Sequence, residues 1–185
     1  MGRFRKRLRR AVSRLRTPQT PVASAEIRVP AEPPEPEELC CEFVDSDTVV
    51  ARLKSPPRLL VVNHWATWCE GCVEELPLLV ELHKKWGDQV DFVGVSWEAF
   101  QGDSGMSVLR EVHRFSKALD LAWDSWVISE TPESFFESME MTCQTIPQIW
   151  LVTTDGTVAA RFEEVLDSAS QDVLDQRIGA LLDVD

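Results

Sequence analysis

Two cysteines three residues apart carry the clearest chemistry in this chain. Cys69 and Cys72 lie in the segment Trp65-Ala66-Thr67-Trp68-Cys69-Glu70-Gly71-Cys72. Before them runs Leu59-Leu60-Val61-Val62, an apolar stretch that reads as a buried strand. After them Val73, Leu76, Leu79, Val80 and Leu82 recur among acids at helical spacing. A sulfur at a helix N-terminus feels the positive end of the macrodipole and unpaired backbone N–H groups. Both favour the thiolate. A second sulfur three residues on lies one turn away, near enough to close a disulfide. The alternatives are a structural disulfide or half of a zinc site. Structural zinc wants four ligands. The remaining candidates are Cys40, Cys41, Cys143 and three histidines, none at paired ligand spacing. No metal and no cofactor is expected.

The cysteines must be positioned by a domain, and the chain has 185 residues, enough for one domain and a tail. Its five cysteines, an odd count, do not suit a secreted disulfide scaffold. The net charge of −12 is unevenly spread. Eight of the 19 basic residues fall in positions 1–16, where there is no acid, so the remainder carries −20. Such an acidic body repels phosphate, which excludes nucleic acid as a partner of the domain.

Residues 1–16 are a basic arm with Phe4, Leu8, Ala11, Val12 and Leu15 near one helical face. A solvated basic tail is the first reading; peripheral contact with an anionic membrane surface is the alternative. The arm lacks the apolar core of a signal peptide, and no stretch is long enough to span a bilayer. Residues 17–39 hold six of the 11 prolines and several glutamates, and read as a flexible linker. The domain is placed at residues 40–185.

Within it the pattern alternates. Strands are expected at 58–65 and 89–97, with helices over roughly 69–86 and 106–119. A short strand from Trp123 to Ile128 and a short helix from Thr131 to Met139, opened by Thr131-Pro132, follow. Residues 148–152 and 158–162 flank Thr154-Asp155-Gly156, a hairpin signal, and 167–182 closes the chain as an amphipathic helix. The fold class is α/β, a central mixed sheet with helices on both faces.

With these residues in order, the domain resembles the thioredoxin superfamily, and within it the TlpA-like thiol–disulfide oxidoreductases, over roughly residues 43–183. Trp65 and Trp68 precede the first cysteine at family spacing, and Pro77 follows the second where the family kinks its first helix. Ile146-Pro147 stands where the family has its cis-proline, and Asn63 where TlpA-like members carry Asn. Two residues depart from the pattern. Glu70-Gly71 replaces a dipeptide that usually ends in Pro, and His64 occupies a position that is commonly Phe. TlpA-like relatives usually act outside the cytoplasm. The chain as written carries no export signal, so a cytoplasmic or inner-membrane periphery and a periplasmic location both stay open.

The resemblance implies an enzyme that reduces or exchanges protein disulfides, supplied by an upstream thiol reductant. Cys69 is then the nucleophile and Cys72 resolves the mixed disulfide. Trp68, Ile146 and Pro147 are the expected substrate contacts. A cis-proline would expose the backbone of Ile146 to a substrate strand. Glu70, Gly71, Asn63 and Glu98 are the expected tuning residues. Glu70 should raise the Cys69 thiol pKa by like-charge repulsion, and Gly71 loosens the loop. Glu98 reads first as a solvated loop acid and second as a proton acceptor beneath the cysteines. His64 reads as a hydrogen-bonded core histidine before it reads as a tuner of Cys72. His83 and His113 need no function. Cys143 reads as a small buried residue, and Cys40 and Cys41 as incidental thiols. The alternative function is a metal-binding or adaptor module on the same fold, without turnover.

Overall fold

A computed structural model describes residues 39–101, 105–139 and 145–183. The basic arm, nearly all of the linker and Cys143 lie outside the described residues. The elements run β1 (Cys41–Val44), α1 (Ser46–Leu53), β2 (Leu60–Trp65), α2 (Glu70–Trp86) and β3 (Asp91–Ser96). A 3-10 turn at Glu98–Gln101 follows, then α3 (Met106–Ala118), β4 (Ser125–Ile128) and α4 (Pro132–Ser138). The chain ends with β5 (Gln148–Val152), β6 (Val158–Phe162) and α5 (Ser168–Leu182).

The strands form one sheet in the order β1-β4-β3-β2-β5-β6. The first four are parallel, and β5 and β6 add antiparallel as a hairpin beside β2. β2 is buried on both faces along its whole length, as its unbroken apolar run implies. Its alternate residues divide the core. Val61 and Trp65 face a cluster with Leu76, Leu79 and Leu82 of α2, Val112 of α3, and Leu174 and Ile178 of α5. Leu60 and Val62 face the other cluster, with Val49 and Leu53 of α1 and Phe135 and Phe136 of α4.

The mixed sheet, the helices on both faces and the terminal hairpin match the sequence expectation. The ends differ by a few residues, because the predicted strand from Trp123 begins at Ser125 and that from 89 begins at Asp91. β1 and α1 were not expected at all. β1 has only four residues, and α1 starts from a local cap in which the Asp45 side chain accepts from the Thr48 N–H. At the hairpin turn Gly156 has φ of 82°, and a Cβ there would meet the Lys54 carbonyl oxygen at 2.4 Å. Only glycine suits both demands.

Candidate redox-active site

The central strand β2 ends at Trp65, and a tight turn carries the chain into α2. The Cys69 N–H donates to the Ala66 carbonyl at 3.2 Å, and Cys69 then caps α2. Its sulfur accepts from the Cys72 N–H at 3.2 Å, so one otherwise unpaired amide of the first turn points at it. Cys69 and Cys72 are joined in a disulfide, with Cα atoms 5.2 Å apart. Cys69 is half-buried while Cys72 is fully buried. Of the two sulfurs, that of Cys69 belongs to the residue a partner can reach.

The Ile146–Pro147 bond is cis. Pro147 lies against the motif: its Cδ and Cγ are 3.7 and 3.9 Å from where a Cβ on Gly71 would sit. Val165, in the connection from β6 to α5, comes closer, with Cγ2 at 2.7 Å from that point. Gly71 has a packing role. Its missing side chain is the space into which Val165 fits. Pro77, inside α2, is exposed and has no N–H for the Val73 carbonyl.

Glu98 is not a solvated loop acid. Its carboxylate accepts from the Thr67 N–H at 2.8 Å and from the Thr67 hydroxyl at 2.7 Å. Glu70, in contrast, is exposed at the first turn of α2. Trp68 is exposed and its ring lies beside that of Phe100. Trp65 is core, with its ring 6.0 Å from that of Phe115.

Asn63 is buried opposite Gly94 of β3 and Ile149 of β5. It lies on the Trp65 side of the sheet, and neither amide atom has a hydrogen-bond partner among the described residues. His64 faces the other way and is not a hydrogen-bonded core histidine. It is fully buried among rings, 4.4 Å from Trp150, 6.1 Å from Phe135 and 6.2 Å from Trp97. Neither ring nitrogen has a partner among the described residues. Burial, and secondarily the Arg161 charge, push its pKa down to about 3. Cys72 belongs to the opposite cluster, so His64 is separated from it by the sheet.

One titratable group escaped the sequence reading. Glu75 is fully buried on α2. Oε2 accepts from the Leu166 N–H at 2.9 Å, while Oε1 has no partner among the described residues. Burial pushes its pKa up to about 7, against the pull of the Leu166 bond. The signal was present: residues 72, 75, 76, 79 and 82 form one helical stripe, so this acid sits one turn from Cys72 on the apolar face.

The other cysteines lie elsewhere. Cys41 is buried, donates to the Leu109 carbonyl at 3.1 Å, and is pushed up to about 12 by burial. Cys40 has Sγ 3.3 Å from Nδ1 of His113, and burial raises its thiol pKa too. Both are free thiols, not a vicinal disulfide. His113 and His83 are packed rather than solvated, His83 against Phe92 and Trp123. Among the described residues no group of three or more His, Cys, Asp or Glu side chains could hold a metal. No described helix is long and apolar enough to cross a membrane.

No protein-family model matches the sequence. A thioredoxin-like protein, YneN of Bacillus subtilis (strain 168), is 28% identical over 64 residues, a match covering 35% of this chain and 35% of that protein. The chain thus aligns with about a third of its curated relative. Solved structures match far more of it. A DsbF homologue from Corynebacterium diphtheriae has a TM-score of 0.54 at 20% identity, covering 71% of this chain and 75% of that one. A thiol:disulfide interchange protein DsbE from Chlorobium tepidum gives 0.53 at 16%, covering 71% and 83%. A thioredoxin family protein from Chlorobium tepidum TLS gives 0.52 at 23%, covering 69% and 82%. At these identities the likeness is one of architecture, and the architecture of this chain is the thioredoxin-like fold.

Proposed function

We propose that the protein is a thiol–disulfide oxidoreductase acting on protein disulfides. The observation that carries this reading is the Cys69–Cys72 disulfide at the N-terminus of α2, with the outer sulfur accepting a backbone N–H and cis-Pro147 lying against the same turn. In the reduced enzyme the Cys69 thiolate attacks a substrate disulfide. A mixed disulfide forms and one substrate thiolate leaves. Cys72 then attacks Cys69 Sγ, closing the enzyme disulfide and releasing the second substrate thiolate. Cys72 must lose its proton in a desolvated place. Glu75, the buried carboxyl on the same stripe, has a pKa suited to accept it near neutrality. An upstream thiol reductant returns the enzyme to the dithiol. The named likenesses to interchange proteins and the TlpA-like motif spacing support this reading.

The test is reduction of insulin driven by dithiothreitol. Cys69→Ser should abolish the enzyme-dependent rate, and Cys72→Ser should accumulate mixed disulfides. Wild-type turnover by both variants would remove the reading. Peripheral membrane contact by residues 1–16 belongs to the same proposal, supported by eight basic residues and no acid in that arm. Co-sedimentation of the full chain with anionic vesicles, lost on adding salt, checks it; a chain that stays in the supernatant at low salt sinks it.

A further inference from the structure

Trp68 is 41% exposed and Phe100 is 47% exposed, with ring centroids 6.0 Å apart and planes inclined by 35°. Large exposed apolar side chains are few among the described residues: Trp68, Phe100, Met106, Val165 and Val173. Two of these few pack against each other, and one of them, Trp68, directly precedes Cys69 in the chain. The pair is also fixed from behind. Glu98 holds both the N–H and the hydroxyl of Thr67, the residue before Trp68. Glu98 opens the 3-10 turn that carries Phe100, whose N–H donates to the Trp97 carbonyl at 3.1 Å. The Trp97 N–H in turn donates to the Trp65 carbonyl at 2.8 Å. The two aromatic residues therefore sit on segments tied together twice. A ledge held in this way loses little freedom when a partner settles on it.

We propose that Trp68 and Phe100 form a docking ledge for an apolar side chain, best an aromatic one, adjacent to the cysteine of a substrate polypeptide. Glu98 is the positioning residue that sets the ledge. This rests on the disulfide-exchange reading and names the substrate class of that site. The occupant is a disulfide-bearing polypeptide because Trp68, one half of the ledge, directly precedes the half-buried Cys69. Across the motif, Val165 lies against Gly71, with Glu163 and Glu164 exposed beside it and Glu70 exposed on the motif itself. That acidic rim suits a polypeptide with a basic residue on the far side of its cysteine. In the exchange step the substrate sulfur bonds to Cys69 while its neighbour rests on the two rings. Aromatic contact then adds affinity at the moment the mixed disulfide forms.

The experiment uses two lysine-containing peptides that differ only in having Phe or Ser beside a single cysteine. Each is supplied as its mixed disulfide with glutathione, and the full chain reduces it with dithiothreitol as reductant. Glutathione disulfide is the third substrate. The wild type should favour the Phe peptide by roughly 3- to 10-fold in kcat/KM, with the difference in KM. Phe100→Ala should bring that ratio near one. Glu98→Ala should lower it, and Glu98→Gln should restore part of it, because an amide oxygen still accepts one Thr67 bond. Val173→Ser, outside the site, should keep the wild-type ratio. Equal wild-type rates on the two peptides, or an unchanged ratio in Phe100→Ala, overturn the ledge and leave disulfide exchange standing. Failure of the wild type on all three substrates overturns both.

Discussion

Val165 occupies the place that a side chain on Gly71 would need. Its Cγ2 lies 2.7 Å from the ideal Cβ position, closer than real Cβ contacts come. The residue before Cys72 and the segment leading into α5 are thus a fitted pair.

The pairing predicts a coupling between the two sites. Gly71→Ala gains about 1 kcal/mol of helix propensity at the start of α2, but must displace Val165 at a cost of similar size. The single variant should be close to neutral. In a Val165→Ala background the same change should stabilise by about 1 kcal/mol. Urea unfolding of the four-member cycle checks this, and strictly additive effects would show that Val165 moves aside freely.

The positions of β2, α2 and the β5–β6 hairpin were legible from the sequence because local pattern decides them: an apolar run, a helical stripe, a turn with Asp-Gly. Cys69, Cys72 and Pro147 were legible through motif spacing. The partners that shape the site were not. Phe100 and Val165 look like ordinary loop residues until the sheet order brings their connections to the C-terminal end of β2. Glu98 could be read as solvated because its acceptor role depends on Thr67, a residue 31 positions away. Glu75 was hidden differently. It sits among exposed acids in the sequence, and only its phase on the helix separates it from Glu74 and Glu70.

Glu75 makes the protein less stable as pH rises. Its folded pKa, about 7, lies above the ordinary value of 4.5, so the native state holds the proton more tightly than the unfolded chain. Stability conferred by the neutral form is complete below pH 4.5 and is lost as pH climbs through 7. The full loss is on the order of 3 kcal/mol. Relative to Glu75→Gln, the wild type should weaken steadily from pH 5 to pH 8 in denaturant titrations. A constant difference across that range would show that the carboxyl ionises as it does in water.

Glu70 is exposed beside Cys69. In the reduced enzyme its charge opposes formation of the Cys69 thiolate. Glu70→Gln should therefore lower the Cys69 thiol pKa and speed alkylation by iodoacetamide at neutral pH, with the gain shrinking as salt is added. An unchanged pKa would mean that solvent screens the carboxylate fully.

His64 supplies the opposite pH dependence to Glu75. Enclosed by Trp97, Phe135 and Trp150, with Arg161 as the charge acting on it, it stays neutral down to about pH 3 in the folded protein, against 6.5 as its ordinary value. The unfolded chain therefore binds the extra proton first. Stability is intact above pH 6.5 and falls progressively as pH drops toward 3, by roughly 5 kcal/mol at the limit. His64→Phe keeps a flat ring among its aromatic neighbours and removes two buried nitrogens that lack partners. At pH 7.5 its gain from losing those nitrogens is offset in part by the larger ring in a filled core, so the net change should be small. At pH 5 the variant should be clearly more stable than the wild type, because it no longer has a proton to take up on unfolding. Thermal and urea unfolding at both pH values separate the two effects. Parallel pH profiles for wild type and variant would mean that His64 is protonated in the folded state and has a partner for its charge.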